Sequence, residues 1–170
     1  MEGETEGKVS LGKRLVRILA TGFYLGYVPV LPGTAGTLLG VVIYFLLMGK
    51  YEDQVWSFVL PFLAVLTVLT GWLCHRAELL FMREDDSRLV LDETIGFLWA
   101  MFALPADWRF VLLGFILFRI FDISKIFPIG QLQKLKGGLG VVADDLAAAL
   151  YANLFIRFII YLFPAVGKTF

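Results

Sequence analysis

The chain alternates long apolar runs with short polar interruptions. No charge occurs from Ile18 to Gly49 or from Val55 to Cys74. The second run has about the ~20 residues that a helix needs to cross a bilayer, and it predicts a spanning helix over Val55–Cys74. His75 to Arg88 follows as a charged loop or helical extension. Within the first run, Val28 to Thr37 holds two prolines and two glycines, which predicts an irregular loop. Thr34 or Thr37 then caps a helix running to about Met48. Asp92 to Leu104 is apolar but short for a span, and Pro105 ends it; Trp108 to Ile123 predicts a further helix. Lys125 to Gly140 is a polar connection, and Leu146 to Phe163 is the last apolar helix, with Arg157 placed awkwardly inside it.

Ahead of these runs, Val9, Leu11, Leu15, Val16, Ile18 and Leu19 share a broad helical face beside Lys13, Arg14 and Arg17. That pattern fits a basic amphipathic helix on a membrane surface, and equally a first helix packed on the bundle. Residues 1–7 carry Glu2, Glu4 and Glu6 and read as a disordered acidic tail rather than a basic signal peptide. Residues 8–170 then form a single helical domain.

Composition moves the class towards a membrane protein. Hydrophobic residues make up 59% of the chain, with 16 Phe, and mean hydropathy is +0.80; soluble domains run at about 45–50% apolar. The expected fold is all-α, with about five membrane-embedded helices and the amphipathic N-terminal helix. Fifteen basic and fifteen acidic residues balance, so nothing suggests a nucleic-acid surface. The single Cys74 forms no intrachain disulfide, and it ends an apolar run that disfavours a thiolate nucleophile. His75, the only histidine, reads as a boundary or packing residue. Basic residues gather before the first apolar run, after the second (Arg76, Arg83, Arg88) and after the fourth (Lys125, Lys134, Lys136). The positive-inside rule puts these segments in the cytoplasm, and all the acidic candidates fall on that same side.

Those candidates are Asp92-Glu93, Asp122 and Asp144-Asp145, five carboxylates in or against apolar sequence. Charges there are expensive unless paired or bound to a metal. Clustered hard oxygen ligands suit Mg²⁺, and Mg²⁺ suits phosphate chemistry. Each group also has a structural reading. Asp92-Glu93 and Asp144-Asp145 are each placed to cap a helix, the latter after the glycine-rich turn of Gly137, Gly138 and Gly140. Arg119, Asp122 and Lys125, spaced i, i+3, i+6, are an ion ladder or a metal ligand flanked by two phosphate-holding cations. A transporter using intramembrane carboxylates would place acids across the bilayer, whereas these cluster at one side. A scaffold leaves them unexplained.

Four blocks together carry a family resemblance: Gly26–Leu38 (GYVPVLPGTAGTL), Val90–Gly96 (VLDETIG), Phe118–Ile129 (FRIFDISKIFPI) and Gly137–Asp145 (GGLGVVADD). In this order they resemble the phosphatidylglycerophosphatase A family from Gly26 to about residue 152. The resemblance implies a multi-pass, bacterial inner-membrane, Mg²⁺-dependent lipid phosphatase acting from the cytoplasmic face. Its substrate would be the phospholipid phosphatidylglycerophosphate, and its products phosphatidylglycerol and phosphate. It assigns catalysis and metal binding to Asp92, Glu93, Asp122, Asp144 and Asp145. Phosphate or headgroup contacts fall to Arg119 and Lys125, to Pro32, Gly33, Thr34, Gly36 and Thr37, and to Gly137, Gly138 and Gly140. Ile126 stands where the family often has proline after the lysine, and polarity at Ser87 replaces a proline frequent in the family before the Asp-Glu block. Water attacks phosphorus in the expected reaction; one carboxylate as general base, and an aspartate as nucleophile, both remain open.

Overall fold

A computed structural model describes residues 10–47, 51, 54–83 and 86–164. The acidic tail expected at residues 1–7 lies outside the described residues. Helices are the only regular secondary structure among those described, so the all-α expectation holds. The helices are α1 (Leu11–Ala20), α2 (Pro32–Leu47), α3 (Leu60–Phe81), α4 (Leu91–Ala100), α5 (Trp108–Ser124), α6 (Ile129–Leu132) and α7 (Gly138–Leu162). A π-helical turn over Val55–Val59 leads directly into α3. Among the described residues, two continuous helical stretches, Val55–Phe81 and Gly138–Leu162, are long and apolar enough to cross a membrane. One shorter apolar helix accompanies them, over Pro32–Leu46.

Three boundaries differ from the expectations, each for a packing reason. First, α2 begins at Pro32, inside the segment expected to be an irregular loop. Proline is compatible with a first helical turn because its missing N–H would have no intrahelical partner there. Gly33, Gly36 and Gly40 then let α2 approach α4. A Cβ at Gly36 would stand 2.5 Å from the Val90 carbonyl oxygen, and one at Gly40 would stand 2.8 Å from that of Thr94. The Thr94 hydroxyl lies 2.8 Å from the Gly36 carbonyl oxygen, its acceptor across this contact.

Second, α7 begins at Gly138 rather than beside Asp144. A Cβ on Gly138 would collide with the Gly71 carbonyl of α3, and one on Gly140 with the Leu135 carbonyl. The glycines therefore seat the first turn of α7 on its neighbours, and Asp144 and Asp145 lie well inside the helix.

Third, α4 has only 10 residues. Its C-terminal carbonyls are satisfied by α7. Asn153 Nδ2 donates to the Ala100 and Phe102 oxygens at 2.9 and 2.8 Å, and Arg157 Nη2 donates to those of Phe102 and Ala103, both at 3.0 Å. Arg157 Nε also donates to Asn153 Oδ1 at 2.7 Å. The awkward arginine is thus part of a helix cap.

The main core lies where α4, α5 and α7 meet, around Phe97, Phe118, Leu98, Met101, Ala148 and Ile156. Outward faces are apolar too: Val42 and Phe45 on α2, Val68 and Trp72 on α3, Leu112 and Ile116 on α5, and Leu154 and Phe158 on α7 are all exposed. On α1, Leu11, Leu15 and Leu19 share an exposed face, while Ala20 is buried.

Candidate functional site

The site forms where the start of α4 meets the end of α5 and the second and third turns of α7. Asp92 and Glu93 occupy the first turn of α4. Asp145 reaches them from α7, because Gly96 on α4 leaves room: a Cβ on Gly96 would stand 3.1 Å from that of Asp145 and 2.8 Å from the Phe118 ring. One carboxylate oxygen from each of Asp92, Glu93 and Asp145 lies within 4.8 Å of the other two. Asp92 and Asp145 are buried, and Glu93 is half-buried.

Beside this trio runs a chain of ion pairs. Arg119 Nη1 donates to Asp122 Oδ2 at 2.6 Å. Lys125 Nζ donates to Asp122 Oδ1 at 2.7 Å and to Asp144 Oδ2 at 2.5 Å. Lys125 follows α5 in the left-handed region, with φ +45. A lysine rarely adopts that backbone. Here it carries the residue across from α5, where Asp122 sits, to Asp144 on α7. Burial pulls the Lys125 ammonium pKa down, but Asp122 and Asp144 outweigh that and raise it, so the group stays charged.

The five acidic candidates and both basic ones, Arg119 and Lys125, therefore converge from three separated segments. Gly33 joins them: a Cβ there would press on Glu93 Oε1 and stand 3.0 and 3.2 Å from the two terminal nitrogens of Arg119. The rest of the first block supports this placement indirectly. The Thr37 hydroxyl is buried and donates to the Gly33 carbonyl at 2.9 Å, and Gly36 seats α2 on Val90. Pro32 and Thr34 lie in the same first turn, half-buried. For Gly137, Gly138 and Gly140, the atoms nearest a built Cβ belong to His75, Gly71, Leu135 and Gln133. Their conformational freedom is used in protein packing.

Thr94 and Gly96 are positioning residues that patterning did not single out. Thr94 locks α2 to α4 immediately after the acidic pair, and Gly96 admits α7. Small residues at i+2 and i+4 from Asp92 were the available signal. Cys74 is buried, whereas His75 is exposed, with Nδ1 3.9 Å from Glu78 Oε2.

The trio's electrostatics are unbalanced. Five carboxylates face two cations, and both cations are already engaged by Asp122 and Asp144. Among the described residues, Asp92 Oδ1 and Glu93 Oε2 are buried without a hydrogen-bond partner. Uncompensated buried oxygens of this type cost several kcal/mol, on the order of 1–3 each or more when charged. A hard divalent cation fits the donor set, because carboxylate oxygens are its preferred ligands.

The sequence model of the family described as phosphatidylglycerophosphatase A matches residues 18–160. A phosphatidylglycerophosphatase A of Haemophilus influenzae is 36% identical over 148 residues, covering 86% of this chain and 89% of the relative. The Escherichia coli protein of the same name is 34% identical over 150 residues, covering 86% of this chain and 84% of its own length. A Bacteroides thetaiotaomicron protein, provisionally named phosphatidylinositol-3-phosphatase, is 37% identical over 147 residues, covering 82% of this chain and 89% of its own. No solved structure matches the chain. The convergent carboxylates and cations thus sit in a chain matched along most of its length, which belongs to the phosphatidylglycerophosphatase A family and is a phosphatase.

Proposed function

We propose that the protein is a Mg²⁺-dependent lipid phosphatase that hydrolyses phosphatidylglycerophosphate to phosphatidylglycerol and phosphate. The observation that carries this reading is the trio of Asp92, Glu93 and Asp145 beside the Arg119–Asp122–Lys125–Asp144 chain. The trio supplies oxygen ligands with two buried unpartnered atoms, and the chain supplies cations suited to a phosphomonoester.

Asp92, Glu93 and Asp145 would hold the ion, with Asp122 and Asp144 beside them. When bound, Mg²⁺ supplies positive charge against the transferring phosphoryl oxygens. Arg119 grips phosphate oxygens through its planar fork, and Lys125 adds a point charge. Asp122 orients both cations through its two oxygens, and Asp144 fixes Lys125 from the far side. Gly33 leaves open the space beside Arg119 and Glu93 that a side chain would fill. A carboxylate of the cluster accepts the proton of the attacking water.

The placement is that of a multi-pass protein of the bacterial inner membrane. The apolar outer faces of α2 and α5 embed those helices alongside α3 and α7, with the short, largely buried α4 packed among them. The site then opens at the cytoplasmic end, where the basic loops gather. Acyl chains remain in the bilayer while the headgroup meets the carboxylates.

A second substrate reading, another lipid phosphomonoester, is favoured by the name of the Bacteroides relative. Phosphate release from phosphatidylglycerophosphate and from phosphatidylinositol 3-phosphate, with EDTA and after Mg²⁺ is restored, tests both. The expected result is preferential release from phosphatidylglycerophosphate, absent in EDTA and regained with Mg²⁺. Full turnover in excess EDTA overturns the metal assignment, and preference for the inositol lipid overturns the substrate.

A further inference from the structure

A cavity of about 570 Å³ lies between α3 and α7, away from the carboxylates. Its walls are Val68 and Trp72 on α3, and Val142 and Leu146 on α7. His75, Lys136 and the Gly137–Gly138 start of α7 close one end. The size is within the range of small-molecule sites, about 300–1,000 Å³. Its two walls are the two helices long and apolar enough to cross a membrane. The inference rests on their doing so, as proposed above.

The cavity is separate from the phosphatase centre. Gly138 lies directly against the Gly71 carbonyl and the His75 backbone nitrogen, which closes the seam between α3 and α7 at that point. Asp144 and Asp145 leave α7 on another face, towards Lys125 and Gly96.

The chemistry of the cavity is graded along its length. An apolar groove within a bilayer takes a hydrocarbon chain, because water finds no partners there. The Lys136 end is different. The 25-residue α7 starts there with its backbone N–H groups and positive dipole end. Lys136 is exposed and adds a full charge. His75 Nδ1 lies 3.9 Å from Glu78 Oε2, and the imidazole adds a hydrogen-bonding group at this end. An occupant with one apolar chain and an anionic head satisfies both ends at once.

We propose that the α3–α7 groove is a second lipid site, which retains one anionic phospholipid with an acyl chain between Val68 and Leu146 and its phosphate at Lys136 and the start of α7. This lipid is bound, not hydrolysed, since no carboxylate is among the described residues that line the groove.

Native mass spectrometry of the full-length protein in detergent tests this with phosphatidylserine and phosphatidylcholine of identical chains. Neither is a phosphomonoester, so neither is a substrate for the carboxylate centre. The first adduct is expected to favour phosphatidylserine about five-fold, the effect of roughly one near-surface basic residue. Lys136→Glu abolishes the preference, and Lys136→Arg retains it. Val68→Trp, at a position 73% exposed and so tolerant of bulk, blocks the groove and removes the adduct of both lipids. Equal retention of the two lipids by the parental protein overturns the proposal. So does a preference unchanged by Lys136→Glu, or an adduct unchanged by Val68→Trp. Phosphate release from phosphatidylglycerophosphate is followed in the same preparations: parental protein that retains the lipid but releases no phosphate overturns the proposed substrate and leaves the groove assignment standing.

Discussion

The helices α4 and α7 meet twice through polar groups, and the two meetings are unlike. At the C-terminal end of α4, Asn153 and Arg157 donate to carbonyls of Ala100, Phe102 and Ala103. Donors and acceptors match, and only one charge is involved. At the N-terminal end, Asp92 and Glu93 meet Asp145, acid against acid, with two buried oxygens lacking partners. The first arrangement needs nothing from outside to be stable. The second is destabilising as it stands, because like charges repel and each buried carboxylate loses hydration. The same helix pair thus carries a polar contact that holds the fold and one that the fold must hold against its own repulsion. Buried polarity alone does not mark a site; polarity left uncompensated does.

Replacing single acids breaks this comparison most sharply. Asp92→Asn keeps shape and removes one negative charge from the trio. We expect kcat to fall by about 10²–10⁴, while the melting temperature in EDTA rises because repulsion is relieved. Asp122→Asn should lose activity on the same scale but melt lower, since Arg119 and Lys125 lose a shared counter-charge. Phosphate release and detergent-solubilised melting, measured together, check both. A lower melting temperature with near-normal kcat in Asp92→Asn would make the trio a structural cap.

Arg119→Lys comes next in size. The charge survives but the planar fork does not. A drop of about 10–10² in kcat/KM is expected, smaller than for Asp92→Asn. A loss equal to that of Asp92→Asn would mean that Arg119 does more than hold phosphate oxygens.

Asn153→Leu tests the other end of α4. It orphans the buried Ala100 carbonyl and removes one of the two donors to that of Phe102. The melting temperature should fall by about 5–10 °C, from one or two unsatisfied groups in a chain of this size. The folded fraction should keep its kcat. A specific loss of kcat without a melting change would erase the contrast between the two ends.

The acids were legible in the sequence because a charge inside an apolar run is conspicuous, and their common side followed from the basic loops. Their grouping was legible in kind, but not the division into a trio and an ion-pair chain. That division depends on Lys125 adopting a left-handed backbone and on Gly96 admitting Asp145, neither of which periodicity encodes. The segment Pro32–Thr37 read as a loop because proline and glycine usually interrupt helices. Here the proline opens the helix and the glycines face α4, so tertiary contact outweighs propensity. Glycine 138 and glycine 140 misled in the same way, pointing to a loop where they seat a helix. Arg157 stayed unexplained because its partners are main-chain carbonyls, which leave no signature in side-chain pattern.

The smallest expected effect concerns the segment that delivers α4 to the site. Asp86 is buried and accepts from the Arg88 backbone N at 3.0 Å, Nε at 2.8 Å and Nη2 at 2.6 Å. The Arg88 guanidinium lies 4.2 Å from the Phe81 ring centroid and 5.6 Å from that of Tyr27. Val90 N donates to the Ala20 carbonyl at 3.1 Å, so this turn ties the end of α1 to the start of α4. The Arg88 side-chain hydrogen bonds hold the Asp86 carboxyl below its usual pKa, against the opposing effect of burial. A depressed carboxylate pKa stabilises the fold above the unfolded value, about 3.9, and that contribution disappears as pH falls through the lower folded value. Arg88→Met removes the cause. Its melting temperature should lie about 2–5 °C below the parental one above pH 5, a figure discounted for the partial exposure of Arg88. The gap should narrow as pH falls below the unfolded pKa, because both proteins then carry Asp86 increasingly protonated. A gap of constant size from pH 6 to pH 3 would assign the effect to lost packing on Phe81 and Tyr27 rather than to the ion pair.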